Sequence, residues 1–268
     1  MKLILGLFLL TLIYSSNVVA RDASESIGSY TSGCVKNSET IKDGDGYQMM
    51  RPSRGRNFGH PVMIQFIQSY AKKLKEESGG MLLVGDIGER KGGPMEYGHA
   101  SHQVGLDVDF WFWFTPESLN RPLTRDERET ISAVYLTDEA GTLKRDIWSH
   151  RFPQMLRIAS GFDVVDRIFV NPSIKRELCV HYSGEKWMHK IRPWWGHDAH
   201  FHVRLKCPKG NPQCLPQAPL PAGDGCDSSL IWWFGKEARL PATKADASKK
   251  LHRFDKLPKA CKEYLGQK

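Results

Sequence analysis

The chain reads as an α+β protein, and three observations predict it. The segment PVMIQFIQSYAKKLKEE, from Pro61, repeats apolar residues at helical spacing. Two other segments, from Leu106 and from His200, alternate with a period of two, the signature of strands. The order of these segments is mixed, without the regular strand–helix–strand alternation of a parallel sheet. A single domain follows: a central antiparallel sheet, flanking helices, and irregular loops tied by disulfides.

The first twenty residues, MKLILGLFLLTLIYSSNVVA, hold one lysine, an apolar run and a polar break. Val18 and Ala20 place small residues where a signal peptidase cuts, so cleavage is expected after Ala20. The apolar run is shorter than the ~20 residues that span a bilayer. Residues 21–268 are then a soluble, exported domain with no stable membrane insertion.

Residues 21–60 are polar and rich in glycine and serine, and read as loops with short strands. In the helix that follows, Ile64, Ile67, Tyr70, Ala71 and Leu74 share a face, Pro61 suits the first turn, and Gly79-Gly80 ends it. MLLVGDIG reads as a buried strand. The glycine-rich ERKGGPMEYG then delivers His99 and His102. A second helix is expected near 150–160, a short third near 172–179, and a strand over about 200–206. From about 207 the chain is rich in proline and glycine and reads as an irregular tail.

All six cysteines, Cys34, Cys179, Cys207, Cys214, Cys226 and Cys261, lie in the exported part. An even count in such a chain suggests three disulfides. No C-x-x-C pair is present, which tells against a thiolate zinc site or a redox motif. Spacing alone favours only Cys207 with Cys214, across PKGNPQ. The formal net charge is +8, of which Lys2 leaves with the leader. A basic balance suits anionic partners, but the charges are scattered rather than blocked, and export tells against nucleic acid.

The chemistry concentrates in YGHASHQVGLDVDFWFW, residues 97–113. From Leu106, residues Leu106, Val108, Phe110 and Phe112 take one face of a strand, and Asp107, Asp109, Trp111 and Trp113 the other. His102 lies just before, and Gly105 lets the chain bend between them. In WWGHDAHFHVRLK, His200 and His202 share a face of a second strand. His102, Asp109 and His202 together offer two nitrogens and one oxygen. Zinc accepts that set in catalytic sites, where three protein ligands keep a position for solvent.

This spacing resembles the zinc peptidases that act on D-amino-acid peptides of the cell wall. GHASHQVGLDVD, RNFGHP, RIFVNPSIK, RPWWGHDAHFHVRL and GDGC, with SIGSYTSGC near the start, are similar to the penicillin-insensitive murein endopeptidases of the Gram-negative periplasm. The resemblance implies a zinc metalloendopeptidase (a DD-endopeptidase) that hydrolyses D-alanyl cross-links of peptidoglycan. It implies zinc ligands at His102, Asp109 and His202, with His99 as a further ligand or a rim residue. By the same resemblance His200 is the base, His197 its support, and Arg56 a binder of substrate carboxylate or oxyanion. It also implies disulfides Cys34–Cys261, Cys179–Cys226 and Cys207–Cys214. The chain departs from relatives at Ala100, often serine, and after Asp138, where D-E-A-G replaces the D-G-x-H of a peripheral metal site. Two rival readings are an exported zinc- or wall-binding module without hydrolytic activity, and an aromatic-rich nucleic-acid binder. The second leaves the histidine–aspartate spacing unexplained.

Overall fold

The two alternating segments become neighbouring strands. A computed structural model of the chain describes residues 23–112, 118, 120–239 and 254–266. The expected leader, its cleavage point and Trp113 lie outside the described residues. Strands β1 (Glu25–Ser29) and β2 (Ser32–Lys36) form a hairpin, and β3 (Glu39–Thr40) pairs with β5 (Phe58–Gly59). The main sheet holds β4 (Tyr47–Met49), β6 (Leu82–Val84), β7 (Asp107–Trp111), β8 (Val165–Val170), β9 (Ile191–Pro193) and β10 (His200–Leu205). Their order across it is β4-β6-β7-β10-β8-β9.

The inner strands are antiparallel, as the sequence predicts. Each edge adds a parallel pair that it does not: β4 with β6, and β8 with β9. Edge strands three residues long, such as β4 and β9, are too short to display a period. β8 also escapes the sequence reading, because only its second residue is less than buried and so no alternation shows.

One face of the sheet is closed by α1 (Pro61–Ser78) and α3 (Arg151–Ser160). Helix α1 starts where the His60 ring accepts a hydrogen bond from the Val62 amide and Pro61 takes the first position. It ends at Gly79, whose φ is 65°. Its buried stripe is Met63, Ile64, Phe66, Ile67, Tyr70, Ala71 and Leu74. The larger of these contribute roughly 1.5–3 kcal/mol each by leaving water. Tyr70 and Phe66 pack edge-on against Phe110 of β7, at 5.2 and 6.2 Å between ring centres, and Phe110 meets Phe201 of β10 at 5.4 Å. The opposite face of β7 and β10 carries the polar residues and is left for the site.

Helix α2 (Arg125–Thr130) is closed by a capping box between Thr124 and Glu127. Helix α4 (Pro172–Tyr182) begins at Asn171, whose side chain accepts from the Ser173 amide. The tail is less irregular than its composition suggests. It contains α5 (Ser229–Trp232) and α6 (Lys259–Gly266), both too short to show a helical period. Helix α6 is held by tertiary contacts, which decide the fate of so short a helix. Cys261, Leu257, Ile27 and Cys34 form a small apolar cluster against the β1–β2 hairpin. The disulfides join Cys34 to Cys261, Cys179 to Cys226 and Cys207 to Cys214. Among the described residues, no helix is long and apolar enough to cross a membrane.

Candidate metal centre

Strand register builds the floor of the site. His202 lies opposite Asp109, Arg204 opposite Asp107, and His200 opposite Trp111. Because alternate residues share a face, Asp107, Asp109, His200, His202 and Arg204 all rise on the side away from α1. The loop over residues 86–105 lays His99 and His102 across them. Gly105 makes its return possible: φ is +70°, and a Cβ there would sit 2.8 Å from the His60 nitrogen.

His102 is fully buried and has a left-handed backbone, φ 66°, unusual for a residue with a side chain. Its amide donates to Asp107 Oδ2 at 3.0 Å, and its Nδ1–H donates to the Ile87 carbonyl at 2.9 Å. A carbonyl only accepts, so the proton is on Nδ1, and Nε2 presents a lone pair. His202 is fixed in the opposite sense. Its Nε2–H donates to Asp107 Oδ1 at 2.9 Å, which leaves Nδ1 as the lone-pair nitrogen. Asp107 also accepts from Arg204 Nε at 2.8 Å. Burial alone would raise the Asp107 carboxyl, but Arg204 and His202 outweigh it and hold it far below the usual carboxylate range.

These lone pairs converge on one oxygen. Asp109 Oδ1 is 3.5 Å from His102 Nε2 and 3.1 Å from His202 Nδ1. Both Asp109 Oδ1 and His102 Nε2 are buried without a hydrogen-bond partner. Three acceptors facing one another repel, and a cation among them turns that repulsion into attraction. Burial works to lower the His202 pKa, yet the carboxylates of Asp107 and Asp109 raise it above the ordinary histidine value. The pocket thus calls for positive charge.

Asp109 Oδ2 faces two further imidazoles. His99 Nδ1 lies 3.6 Å away and His200 Nε2 3.7 Å away. His99, His102 and Asp109 offer ligand atoms within 4.8 Å of one another, a group able to hold a metal ion. The Nε2–H of His99 donates to Asp86 Oδ2 at 2.9 Å. Burial lowers the pKa of His200, and it pushes that of His197 down to about 3, so both rings stay neutral. His197 is also left-handed, with φ 55°. Its Nδ1–H donates to the Trp195 carbonyl at 2.7 Å, and its ring centre is 5.1 Å from that of His200.

Arg56, expected to meet substrate, is committed inside the protein. It is 5 % exposed and donates to Asp86 Oδ2 at 2.8 Å and to the Tyr97 carbonyl at 2.9 Å, while the Tyr97 ring stacks on it at 4.2 Å. It steadies Asp86, which steadies His99. The arginines that do line a small pocket of about 110 Å³ beside His99, Asp109 and His200 are Arg51 and Arg54, together with Met50, Asp86 and Trp111. Sequence reasoning missed both, and Asp86 as well. The only signal was the cluster of arginines in MRPSRGR. Asp138 spends one carboxylate oxygen on the Thr142 amide within a turn.

A mixed sheet whose open face gathers imidazoles and a carboxylate into a group able to hold a metal ion has the layout of a metallopeptidase. Relatives carry the matter further. The chain is 40% identical over 225 residues to a protein of Haemophilus influenzae, covering 83% of this chain and 77% of that one. It is 38% identical over 219 residues to one of Klebsiella pneumoniae, at 79% and 77% coverage. It is 36% identical over 251 residues to one of Salmonella paratyphi B, at 91% and 87%. All three are named penicillin-insensitive murein endopeptidase. The chain belongs to the penicillin-insensitive murein endopeptidase family, whose sequence model matches residues 26–266.

Proposed function

We propose that His102, Asp109 and His202 hold one zinc ion and that the site hydrolyses D-alanyl cross-links between the stem peptides of murein. The observation that carries this reading is the pair of buried, unpartnered acceptors, His102 Nε2 and Asp109 Oδ1, facing each other at 3.5 Å. Two imidazole nitrogens and one carboxylate oxygen form a ligand set that zinc takes in catalytic sites. When bound, zinc supplies Lewis acidity that polarises a carbonyl and acidifies water.

The remaining work falls to side chains. Asp107 fixes the His202 tautomer through Nε2 and, by holding the His102 amide, sets the loop above it. His200, neutral and beside Asp109, accepts the proton of the attacking water and returns it to the leaving amine. The amide C–N bond breaks; hydroxyl joins the D-alanyl carbonyl carbon and hydrogen the nitrogen. His197 packs against His200, ring centres 5.1 Å apart, and helps to position it. His99 guards the rim on Asp86. Arg51 and Arg54, the latter also paired with Asp86 at 3.3 Å, line the adjoining pocket and offer guanidiniums to a carboxylate-bearing substrate. The scheme uses no serine nucleophile, so penicillin has no group to acylate. Murein lies outside the cytoplasm. This agrees with export by a leader cleaved after Ala20 and with a periplasmic domain over residues 21–268.

The test is mass spectrometry of purified cross-linked muropeptide dimers after incubation with the protein. Conversion to monomers with the gain of one water, unaffected by penicillin and abolished by chelator, supports the reading. Dimers that are bound but left intact would instead make the protein a wall-binding module.

A further inference from the structure

An aromatic ladder leads out of the metal centre. Phe169 touches His202 at 5.4 Å between ring centres, Trp194 lies 5.6 Å from Phe169, and Trp233 lies 5.9 Å from Trp194. Trp233 in turn meets Trp195 at 5.0 Å and Trp232 at 5.2 Å. Trp194, Trp195 and Trp232 are 50, 41 and 52 % exposed. So large a group of exposed indoles is costly in water unless something covers it. Beside it lies a cavity of about 260 Å³ lined by Trp195, Trp233 and Phe234, with Glu139 as a polar wall.

We infer that this cavity seats a saccharide ring of the glycan strand that carries the peptide to be cut. The inference rests on murein being the substrate. Stem peptides are short and mostly polar, and offer no flat apolar face to match these indoles. A pyranose does: its axial C–H bonds present a weakly positive face to the negative face of an indole, and its hydroxyl and acetamide groups meet the polar rim. The Glu139 carboxylate accepts from a sugar hydroxyl. Continuity decides between a sugar and a foreign partner, because the ladder begins on His202. A cross-linked peptide lying over Asp109 and His200 would carry its glycan outward along Phe169 and Trp194 to Trp233. The tail contributes Trp233 and Phe234, and Cys179–Cys226 ties that tail to α4 just before it.

The test compares two substrates: cross-linked dimers bearing their disaccharides, and the same dimers stripped of sugar by an amidase. Wild-type kcat/KM is expected to favour the sugar-bearing dimer by about tenfold, and Trp233→Ala and Phe234→Ala to erase most of that preference while the sugar-free rate holds. Titration with a soluble N-acetylglucosamine oligomer, followed by tryptophan fluorescence, is expected to show binding by wild type that Trp233→Ala loses. Cleavage of the sugar-free dimer tests the peptidase reading separately. Equal rates on both substrates, or equal losses on both in the variants, would overturn the inference. So would a change from dimer to monomer in sedimentation with no change in sugar preference, which would assign the patch to a second copy of the chain.

Discussion

The Nε2–H of His202 donates to Asp107 Oδ1 at 2.9 Å, and this bond turns the ring so that Nδ1 meets Asp109. Asp107 is not itself among the ligands, yet it determines which nitrogen of His202 is offered. Asp107→Asn is expected to weaken zinc affinity roughly 10- to 100-fold. Leaving Arg204 buried beside a neutral amide should also cost about 3 kcal/mol of stability. Competitive metal titration and urea unfolding measure the two effects. An unchanged zinc affinity would remove Asp107 from the orienting role.

Strain marks His197, whose left-handed backbone glycine would adopt freely. His197→Gly is expected to keep or raise the melting temperature, by up to about 3 °C, while lowering kcat about tenfold or more. Calorimetry and steady-state kinetics on one preparation separate the two. A variant less stable than wild type with normal kcat would make His197 a structural residue.

Lys175 is fully buried and donates to the carbonyls of Asp224 and Met188. Burial, helped by Arg192, pushes its pKa down from 10.5 to about 7. Between those two values the unfolded chain binds more protons than the folded one, so stability rises with pH through that window. The slope is expected to be on the order of 1 kcal/mol per pH unit and to vanish in Lys175→Met. Urea unfolding of both proteins from pH 7 to pH 10 checks it. An identical slope in the variant would assign the dependence elsewhere.

Cys34–Cys261 closes a span of 227 residues and pins α6 to the β1–β2 hairpin. The double variant Cys34→Ser, Cys261→Ser is expected to lose about 3–5 kcal/mol in denaturant unfolding. A loss below 1 kcal/mol would show that the apolar cluster alone holds the helix.

Much of this was legible in the sequence, for a reason visible at β7 and β10. A period of two says that Asp107 with Asp109, and His200 with His202, share a face. It does not say which aspartate meets which histidine, because register is a property of two strands. Here the resemblance supplied what alternation could not. Arg56 shows another limit: its partner, Asp86, sits 30 residues away beyond the end of another strand, so no local motif could reveal the pairing. The left-handed backbone of His102 was hidden too, since only glycine advertises a positive φ. Trp233 escaped because the tail that carries it has no period to read.

The central claim is that His102, Asp109 and His202 share one divalent ion, and anomalous scattering at the zinc edge from crystals of the purified protein tests it most directly. The account expects a single peak bounded by His102 Nε2, Asp109 and His202 Nδ1, with one zinc per chain by elemental analysis and neither signal in His202→Ala. Fully active crystals with no peak among those three side chains would contradict it.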